Sequence, residues 1–176
     1  MADRTNETDR KYNNTLNLML TPKQRKTYGI WAAKADRVQR TAQGLDATGA
    51  RDFRKALIAV ACDLLDEDER PRTDWTPGDL DPKQFESAMA VCCRLAGDEA
   101  AAKRWEEGER RRLMHAVEKH RRSFGREYVA RLAADITHAG TVDTASLKDL
   151  RHVVMTLEQR RRQSARKAKK AAKSGA

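Results

Sequence analysis

Residues 126–134 read REYVARLAA, and residues 51–59 read RDFRKALIA. Both stretches fit the pattern R-[DE]-[FY]-x-x-x-L-x-A. The aromatic residue and the leucine are four positions apart, which places them on one side of a helix. The pattern therefore predicts two amphipathic helices, in which the Arg and the acid serve the helix start and the aromatic residue and leucine serve a core.

The segments around these two stretches follow the same order along the chain. Each half has a charged helix, a Gly-containing turn, the R-[DE]-[FY] helix, a second turn and a closing helix. The closing helices, KQFESAMAVC from Lys83 and KDLRHVVMTL from Lys148, place apolar residues at the same offsets. Helical periodicity alone explains part of this match, because any two amphipathic helices align. The shared order of three elements favours an internal duplication of a three-helix unit.

The composition predicts an all-α protein of five to seven helices. Charged residues make up 35% of the 176 residues and aromatic residues 5%, which is typical of a small helical protein with a thin core. The dominant residues are good helix formers, and runs of alternating β-branched residues are missing, so we expect no sheet.

Turn signals and charge divide the chain into four parts. Glycine- and proline-containing stretches separate the periodic segments. We expect a flexible N-terminal arm, a first helical unit that contains an acidic loop, a second helical unit, and a basic C-terminal helical extension. The respective ranges are 1–20, 21–97 with the loop at 66–81, 98–158, and 159–176.

The middle helix of the first unit has an apolar stripe by helical spacing. This stripe predicts which side of the helix is buried. Its members are Phe53, Leu57, Val60, Ala61 and Leu64.

The three cysteines lie inside apolar helical patterns. An odd number without paired spacing favours reduced, buried thiols in a cytosolic protein over disulfide or metal-binding roles. The N-terminal residues lack the apolar region of a secretory signal, and the chain has no run of 18 apolar residues, so we expect no membrane association. The expected location is the bacterial host cytoplasm, with association with the nucleoid as an option. The cysteines are Cys62, Cys92 and Cys93.

Motifs for catalysis and for cofactors are missing from the sequence. There is no zinc-ligand spacing, no nucleophile elbow and no phosphate-cradling glycine-rich loop. His115 and His120 are five residues apart and do not share a helix face, so both are expected to be solvated or to cap helices. We therefore expect a non-enzymatic protein without a metal, a cofactor or a small-molecule substrate.

The net charge of +10 is concentrated at the C-terminus. Residues 159–176 hold eight of the 36 basic residues and none of the 26 acidic ones, which leaves the rest of the chain at +2. Such a tail suits phosphate contacts, although a solubilising tail or a contact with an acidic protein is also open. Its candidate contact residues are Arg160, Arg161, Arg162, Arg166, Lys167, Lys169, Lys170 and Lys173.

A second basic cluster precedes REYVARLAA. Its first part alternates with glutamates, and the spacing predicts ion pairs between Glu106 and Arg110 and between Glu107 and Arg111. Its last part lacks such partners and could extend a phosphate track. The candidates there are Lys119, Arg121, Arg122 and Arg126.

The layout resembles the early regulatory proteins of Mu-like phages, the GemA family. The resemblance rests on DFRKALIAVACDLL, DLDPKQFESAMAVCCRL, REYVARLAADI and VDTASLKDLRHVVMTLEQR, and it covers roughly residues 21–163. The acidic loop at 66–81 and the basic tail depart from the family pattern. The resemblance implies a phage or mobile-element protein that modulates host nucleic-acid transactions or gene expression, without implying a chemistry.

The sequence favours an accessory or regulatory protein that binds nucleic acid, with DNA favoured over RNA, mainly through phosphate contacts of the tail. One alternative is an adaptor or inhibitor that docks on a host or phage protein through apolar helix edges and the acidic loop. Another is a small helical subunit of a larger nucleoprotein complex.

Overall fold

The computed structural model describes residues 20–137 and 140–174, and these residues form six α-helices. The β-structure within them is an isolated antiparallel bridge between Leu65 and Pro71. The expectation of an all-α protein is therefore confirmed. The helices are α1 (Pro22–Gln43), α2 (Ala47–Cys62), α3 (Phe85–Leu95), α4 (Glu99–Phe124), α5 (Arg126–Ile136) and α6 (Leu147–Ser174).

Side-chain caps fix the starts of the first two helices. Thr21 and Gln24 form a capping box before α1: the Gln24 amide donates to Thr21 Oγ1 at 3.2 Å, and the Thr21 amide donates to Gln24 Oε1 at 2.9 Å. Pro22 fits the first turn because its missing N–H needs no partner there. Asp46 caps α2 by accepting from the Gly49 amide at 2.6 Å, so Gly49 lies inside the helix instead of in the preceding turn.

In the sequence, Asp81 and Pro82 have the residue types of a helix N-cap and of a first helical position, which predicts that α3 begins at Asp81. Residues 81–84 instead form a turn, in which the Gln84 amide donates to the Asp81 carbonyl at 2.8 Å. The first helical residue is Phe85. The last helix, α6, begins at Leu147, and the Ser146 hydroxyl before it accepts from the Asp149 amide at 3.1 Å.

The chain divides into two compact units, and the division falls between Glu106 and Glu107, inside α4. The turn at Gly97 separates α3 from α4, and it is where the sequence divides the two units. The first turn of α4 nevertheless belongs to the first unit, because Ala101 and Ala102 are buried in its core.

In the first unit, α1, α2 and α3 pack against one another around a single apolar cluster. Trp75, from the loop between α2 and α3, is 1% exposed, and its indole N–H donates to the Lys55 carbonyl at 3.2 Å. Leu80, at the end of the same loop, is also buried. The loop is therefore anchored in the core while its acidic residues 66–69 stay exposed. Leu20, the last residue of the expected N-terminal arm, lies in this core, and the rest of that arm falls outside the described residues.

The buried side of α2 is not the one that the apolar stripe predicts. Phe53, Leu57 and Val60 are 36%, 38% and 57% exposed, and Ala61 and Leu64 are half-buried. The helix is rotated about its axis relative to the prediction, because a charged side chain lies on the inner side and is paired there. The residues that it buries are Ala50, Arg54, Ile58, Ala59 and Cys62.

The buried charge on α2 is Arg54, which joins α2 to α1. Its guanidinium donates to the two carboxylate oxygens of Asp36 at 2.7 and 3.1 Å, and to the hydroxyl of Tyr28. Burial raises the pKa of Tyr28, so this hydroxyl stays neutral. A buried guanidinium is tolerated only when its donors are satisfied, and these contacts satisfy most of them.

The second unit has its own core, and the apolar positions that the sequence predicts in its last helix are buried there. The cluster combines side chains from α4, α5, α6 and the segment before α6. Its members are Leu113, Val117, Val129, Leu132, Ala133, Val142, Ala145, Leu150, Val153, Val154 and Leu157.

Two charged residues of α4 hold this second unit together. Glu109 is 1% exposed and accepts from the Arg151 guanidinium at 2.7 and 3.0 Å. Arg110 donates to the backbone carbonyls of Asp143 and Ala145 at 2.5 and 2.9 Å. The ion pair predicted between Arg110 and Glu106 is therefore wrong, because the carbonyls before α6 take the donors of Arg110. Glu106 instead pairs with Arg94 at 2.8 Å.

Candidate nucleic-acid interface

The C-terminal part of α6 carries most of the basic residues singled out from the sequence. The helix is anchored through its first turns and then continues beyond Leu157 with exposed side chains. The exposed basic residues are Arg160, Arg161, Arg162, Arg166, Lys167 and Lys170, while the side chains of Lys169 and Lys173 lie outside the described set.

These basic residues repeat at helical spacing. Arg162, Arg166 and Lys170 stand at i, i+4 and i+8, so they share one side of α6 and follow each other at about 6 Å along its axis. Glu158 is the last acidic residue of the sequence. Like charges four residues apart destabilise a helix. A polyanion lying along this side would remove that repulsion.

The second predicted basic group lies around the end of α4. Lys119 and Arg122 are exposed on α4, and Arg126 is exposed at the first position of α5. Arg121 is half-buried and pairs with Glu118 at 3.3 Å, so its charge is partly neutralised. Gly125 separates the two helices with a φ of 87°, a value that side-chain-bearing residues rarely adopt.

A contact between α5 and α6 brings the two basic groups together. The Arg160 guanidinium donates to the Tyr128 hydroxyl, and its central carbon lies 5.6 Å from the centre of the Tyr128 ring. Tyr128 is two residues from Arg126, so the first arginine of the exposed part of α6 lies at the start of α5. Within the second unit, Arg160 of α6 therefore contacts α5, and Lys119 of α4 and Arg161 of α6 both lie near His120.

Three rings form a row at the same place, which the sequence did not reveal. His120 stacks on Phe124 with a centroid distance of 6.1 Å, and Phe124 faces Tyr128 at 5.5 Å. The spacing i, i+4, i+8 was the available signal. It was hidden because Gly125 ends one helix between the second ring and the third.

His120 is buried, with 4% of its surface exposed, which contradicts the expected solvated or capping role. Its ring packs against Phe124, and its Nδ1 has no hydrogen-bond partner among the described residues. Burial lowers the pKa of His120; nearby Glu158 opposes this effect, while Arg161 and Lys119 add to it. The neutral imidazole is therefore the form that fits the folded unit.

The cysteines lie in the core of the first unit. All three are buried and form no disulfide with one another, as the sequence predicts. Burial raises the pKa of Cys92 to about 12 and that of Cys93 to about 11. These groups are therefore thiols at neutral pH, and a thiol is a poor nucleophile and metal ligand.

No group of three His, Cys, Asp or Glu side chains within residues 20–137 and 140–174 is arranged to hold a metal ion. None of the helices in these ranges is long and apolar enough to cross a membrane. No family model, curated protein or solved structure matches the chain.

Proposed function

We propose that this protein is a non-enzymatic accessory or regulatory protein of a phage or mobile element that binds nucleic acid, DNA above all, through phosphate contacts. The observation that carries the proposal is the exposed, acid-free basic stretch of α6, whose first arginine, Arg160, contacts α5 at Tyr128. Lysine and arginine side chains that neutralise phosphates release counterions, which gives affinity without sequence preference. The resemblance to early regulatory proteins of Mu-like phages supports the phage context.

Deletion of residues 159–176 tests the proposal directly. We expect the truncated chain to bind duplex DNA at least about tenfold more weakly, with a smaller slope of log affinity against log salt, because several phosphate contacts are lost. The measurement is a titration by fluorescence anisotropy at two salt concentrations. Unchanged affinity after the deletion would refute the proposal.

A control variant that loses positive charges elsewhere in the chain separates phosphate contacts from general attraction. Lys23, Lys26, Arg37 and Arg40 are exposed basic residues of α1 in the first unit. Changing all four to glutamine in the full chain removes four positive charges at a distance in sequence from the tail. We expect this variant to bind with nearly the affinity of the unmodified protein, because charges that make no phosphate contact attract the DNA only over a longer range, where salt screens them.

A second candidate function is favoured by the outer side of α2. Phe53, Leu57 and Val60 expose 36%, 38% and 57% of their surface at i, i+4 and i+7, where a partner helix could pack. An adaptor or inhibitor that docks on another protein would use this side. A nuclease-resistant complex that Leu57→Ser and Val60→Ser both disrupt would support this function, and a complex insensitive to both changes would count against it.

A further inference from the structure

An open cleft of about 440 Å³ lies at the junction of α4 and α5. Two of its walls are aromatic rings, and the others are a glycine and charged side chains. Phe124 and Tyr128 are half-exposed there, with ring centres 5.5 Å apart and planes inclined by 31°. The lining residues are Phe124, Gly125, Arg126, Glu127, Tyr128 and Arg131.

Both rings are held in place by neighbours outside the cleft. His120 stacks on Phe124, and Arg160 bonds the hydroxyl of Tyr128. Rings that are fixed before binding lose little conformational freedom when a ligand stacks on them. The cleft therefore offers an ordered aromatic surface, which the phosphate contacts of α6 do not require.

The charges at the cleft favour an anionic ligand that also carries a flat ring. Arg126 and Arg131 are exposed, and Arg131 interacts only loosely with Glu127, at 3.9 Å between highly exposed groups. Arg160 adds a third guanidinium, whose central carbon lies over the Tyr128 ring at 5.6 Å from the ring centre. Arginine binds phosphate through two parallel donors, and aromatic side chains stack on any nucleobase.

We propose that this cleft binds an unpaired nucleobase of a single-stranded nucleic acid, which stacks on Phe124 and Tyr128 while the adjoining phosphates contact Arg126, Arg131 and Arg160. The inference rests on the proposed function and deepens it by naming the form of nucleic acid. A base inside a duplex already has both faces covered by its neighbours in the stack, so it cannot enter the cleft without being flipped out. The protein therefore prefers single strands, or duplexes with an unpaired end, over blunt duplexes.

The experiment compares a labelled oligothymidylate of about 20 nucleotides, longer than known single-strand sites of one small domain, with a blunt duplex of equal length. Fluorescence anisotropy gives the affinity of the full chain and of Phe124→Leu and Tyr128→Leu for each probe. We expect each substitution to weaken binding of the single strand by about five- to tenfold, because one stacking surface is lost. Binding of the duplex changes by less than about twofold, because its phosphate contacts remain.

Trp31→Leu is the matched control. Trp31 is a half-buried aromatic residue of the first unit, and the Lys34 ammonium lies 4.7 Å from the centre of its ring. Trp31 and Lys34 therefore combine an aromatic ring with a cation, as the cleft does, but Trp31 does not line the cleft. We expect this variant to bind both probes as the unmodified protein does.

The outcomes separate the two proposals. If the unmodified protein binds neither probe, the proposed function fails. If it binds both probes and the two cleft substitutions leave single-strand binding intact, or weaken both probes equally, the cleft proposal fails and the proposed function stands. A polyglutamate peptide that displaces the labelled oligothymidylate as well as the unlabelled oligothymidylate does would also overturn the assignment of the cleft to a nucleobase.

Circular dichroism shows whether the two variants keep their helices. If either is unfolded, photocrosslinking of the unmodified protein to a single strand that contains iodouracil decides the matter. Crosslinks to Phe124 or Tyr128 support the proposal, and crosslinks confined to other peptides refute it.

Discussion

His120 combines burial, an unpartnered Nδ1 and a lowered pKa in the second unit. A free histidine has a pKa of about 6.5. At pH values around this pKa, the folded unit therefore binds fewer protons than the unfolded chain. Stability from this group is complete above that pKa and is lost as pH falls through it toward the lower folded value. The charged groups that face the ring are Lys119, Glu158 and Arg161.

We expect the urea concentration at the unfolding midpoint of the second unit to decrease when the pH is lowered from about 7.5 to about 5.5. These two values lie on either side of the unfolded pKa of histidine. His120→Phe keeps a ring against Phe124 but cannot titrate, so its midpoint changes less over the same range. Circular dichroism at several urea concentrations measures both proteins. Equal pH dependence in the two would show that other groups cause the effect.

Asp36 and Arg54 make the second residue-level prediction. Asp36→Ala leaves the buried Arg54 guanidinium with only the Tyr28 hydroxyl, and losing one partner of a buried pair costs about 3 kcal/mol. Trp75 lies against Tyr28, with ring centres 6.5 Å apart, so its fluorescence reports unfolding of this core in urea.

Asp74→Ala is the control for this pair. Asp74 binds Arg72 through the same two-oxygen geometry, at 2.9 and 3.2 Å, but both side chains are exposed. Exposed ion pairs contribute little to stability, so the midpoint should hardly move. A loss as large as that of Asp36→Ala would mean that burial does not set the strength of the pair.

At the level of the elements, α2 marks the limit of prediction from sequence. Its apolar residues occupy more than one side of the helix, and the rule that apolar residues face inward chooses the wrong one. The decisive residue is Arg54, which is polar by type but buried because Asp36 and Tyr28 lie opposite on α1. Hydrophobic periodicity describes only neighbouring residues of one segment. It therefore cannot predict a contact between two helices such as the one that Arg54 makes.

Adjacent residues of α2 test this orientation. Ile58 is fully buried, whereas Leu57 is 38% exposed. We expect Ile58→Ala to cost about 2–4 kcal/mol of unfolding free energy through the cavity that it leaves, and Leu57→Ala to cost less than about 1 kcal/mol. Tryptophan fluorescence in urea measures both, and a larger loss for Leu57→Ala would restore the stripe predicted from the sequence.

The sequence was more successful where one helix face decides the packing. Leu150, Val153 and Leu157, which are apolar residues at helical spacing in KDLRHVVMTL, are buried in α6, and Thr21 and Ser146, residue types that cap helices, directly precede α1 and α6. The aromatic row was missed because its rings come from two helices separated by Gly125. The contact between Tyr128 of this row and Arg160 was missed as well, because the two residues are 32 positions apart in sequence.

The proposed duplication agrees with the closing helices better than with the middle ones. The matched positions Phe85 and Leu150 are both buried, as are the other matched positions of α3 and α6. Leu132 of α5 is buried, but its counterpart Leu57 of α2 is exposed. The opening nonapeptide pattern therefore belongs to two helices that bury different sides, and the duplication remains a proposal.

At the scale of the whole molecule, the distribution of charge separates a nearly neutral body from a basic extension. The body has a net charge of +2 and the last 18 residues +8, out of +10 in all. In the body, charged side chains are paired with one another within the fold, as Glu109 is with Arg151. Glu158 is the last acidic residue of α6, and Arg166, Lys167 and Lys170 lie eight or more residues beyond it, so their charge is available to a polyanion.

If the extension acts through phosphate neutralisation, the number of charges matters and their positions do not. The test compares two double variants. One combines Arg161→Gln and Arg162→Gln, and the other combines Lys167→Gln and Lys170→Gln. Each double variant should lower the slope of log affinity against log salt on duplex DNA by up to about 1.8, or 0.9 for each lost contact. Equal slopes in the two variants match a sequence-independent phosphate track. A loss confined to one pair would instead indicate a positioned contact, and the search for base-specific recognition would then begin at that pair.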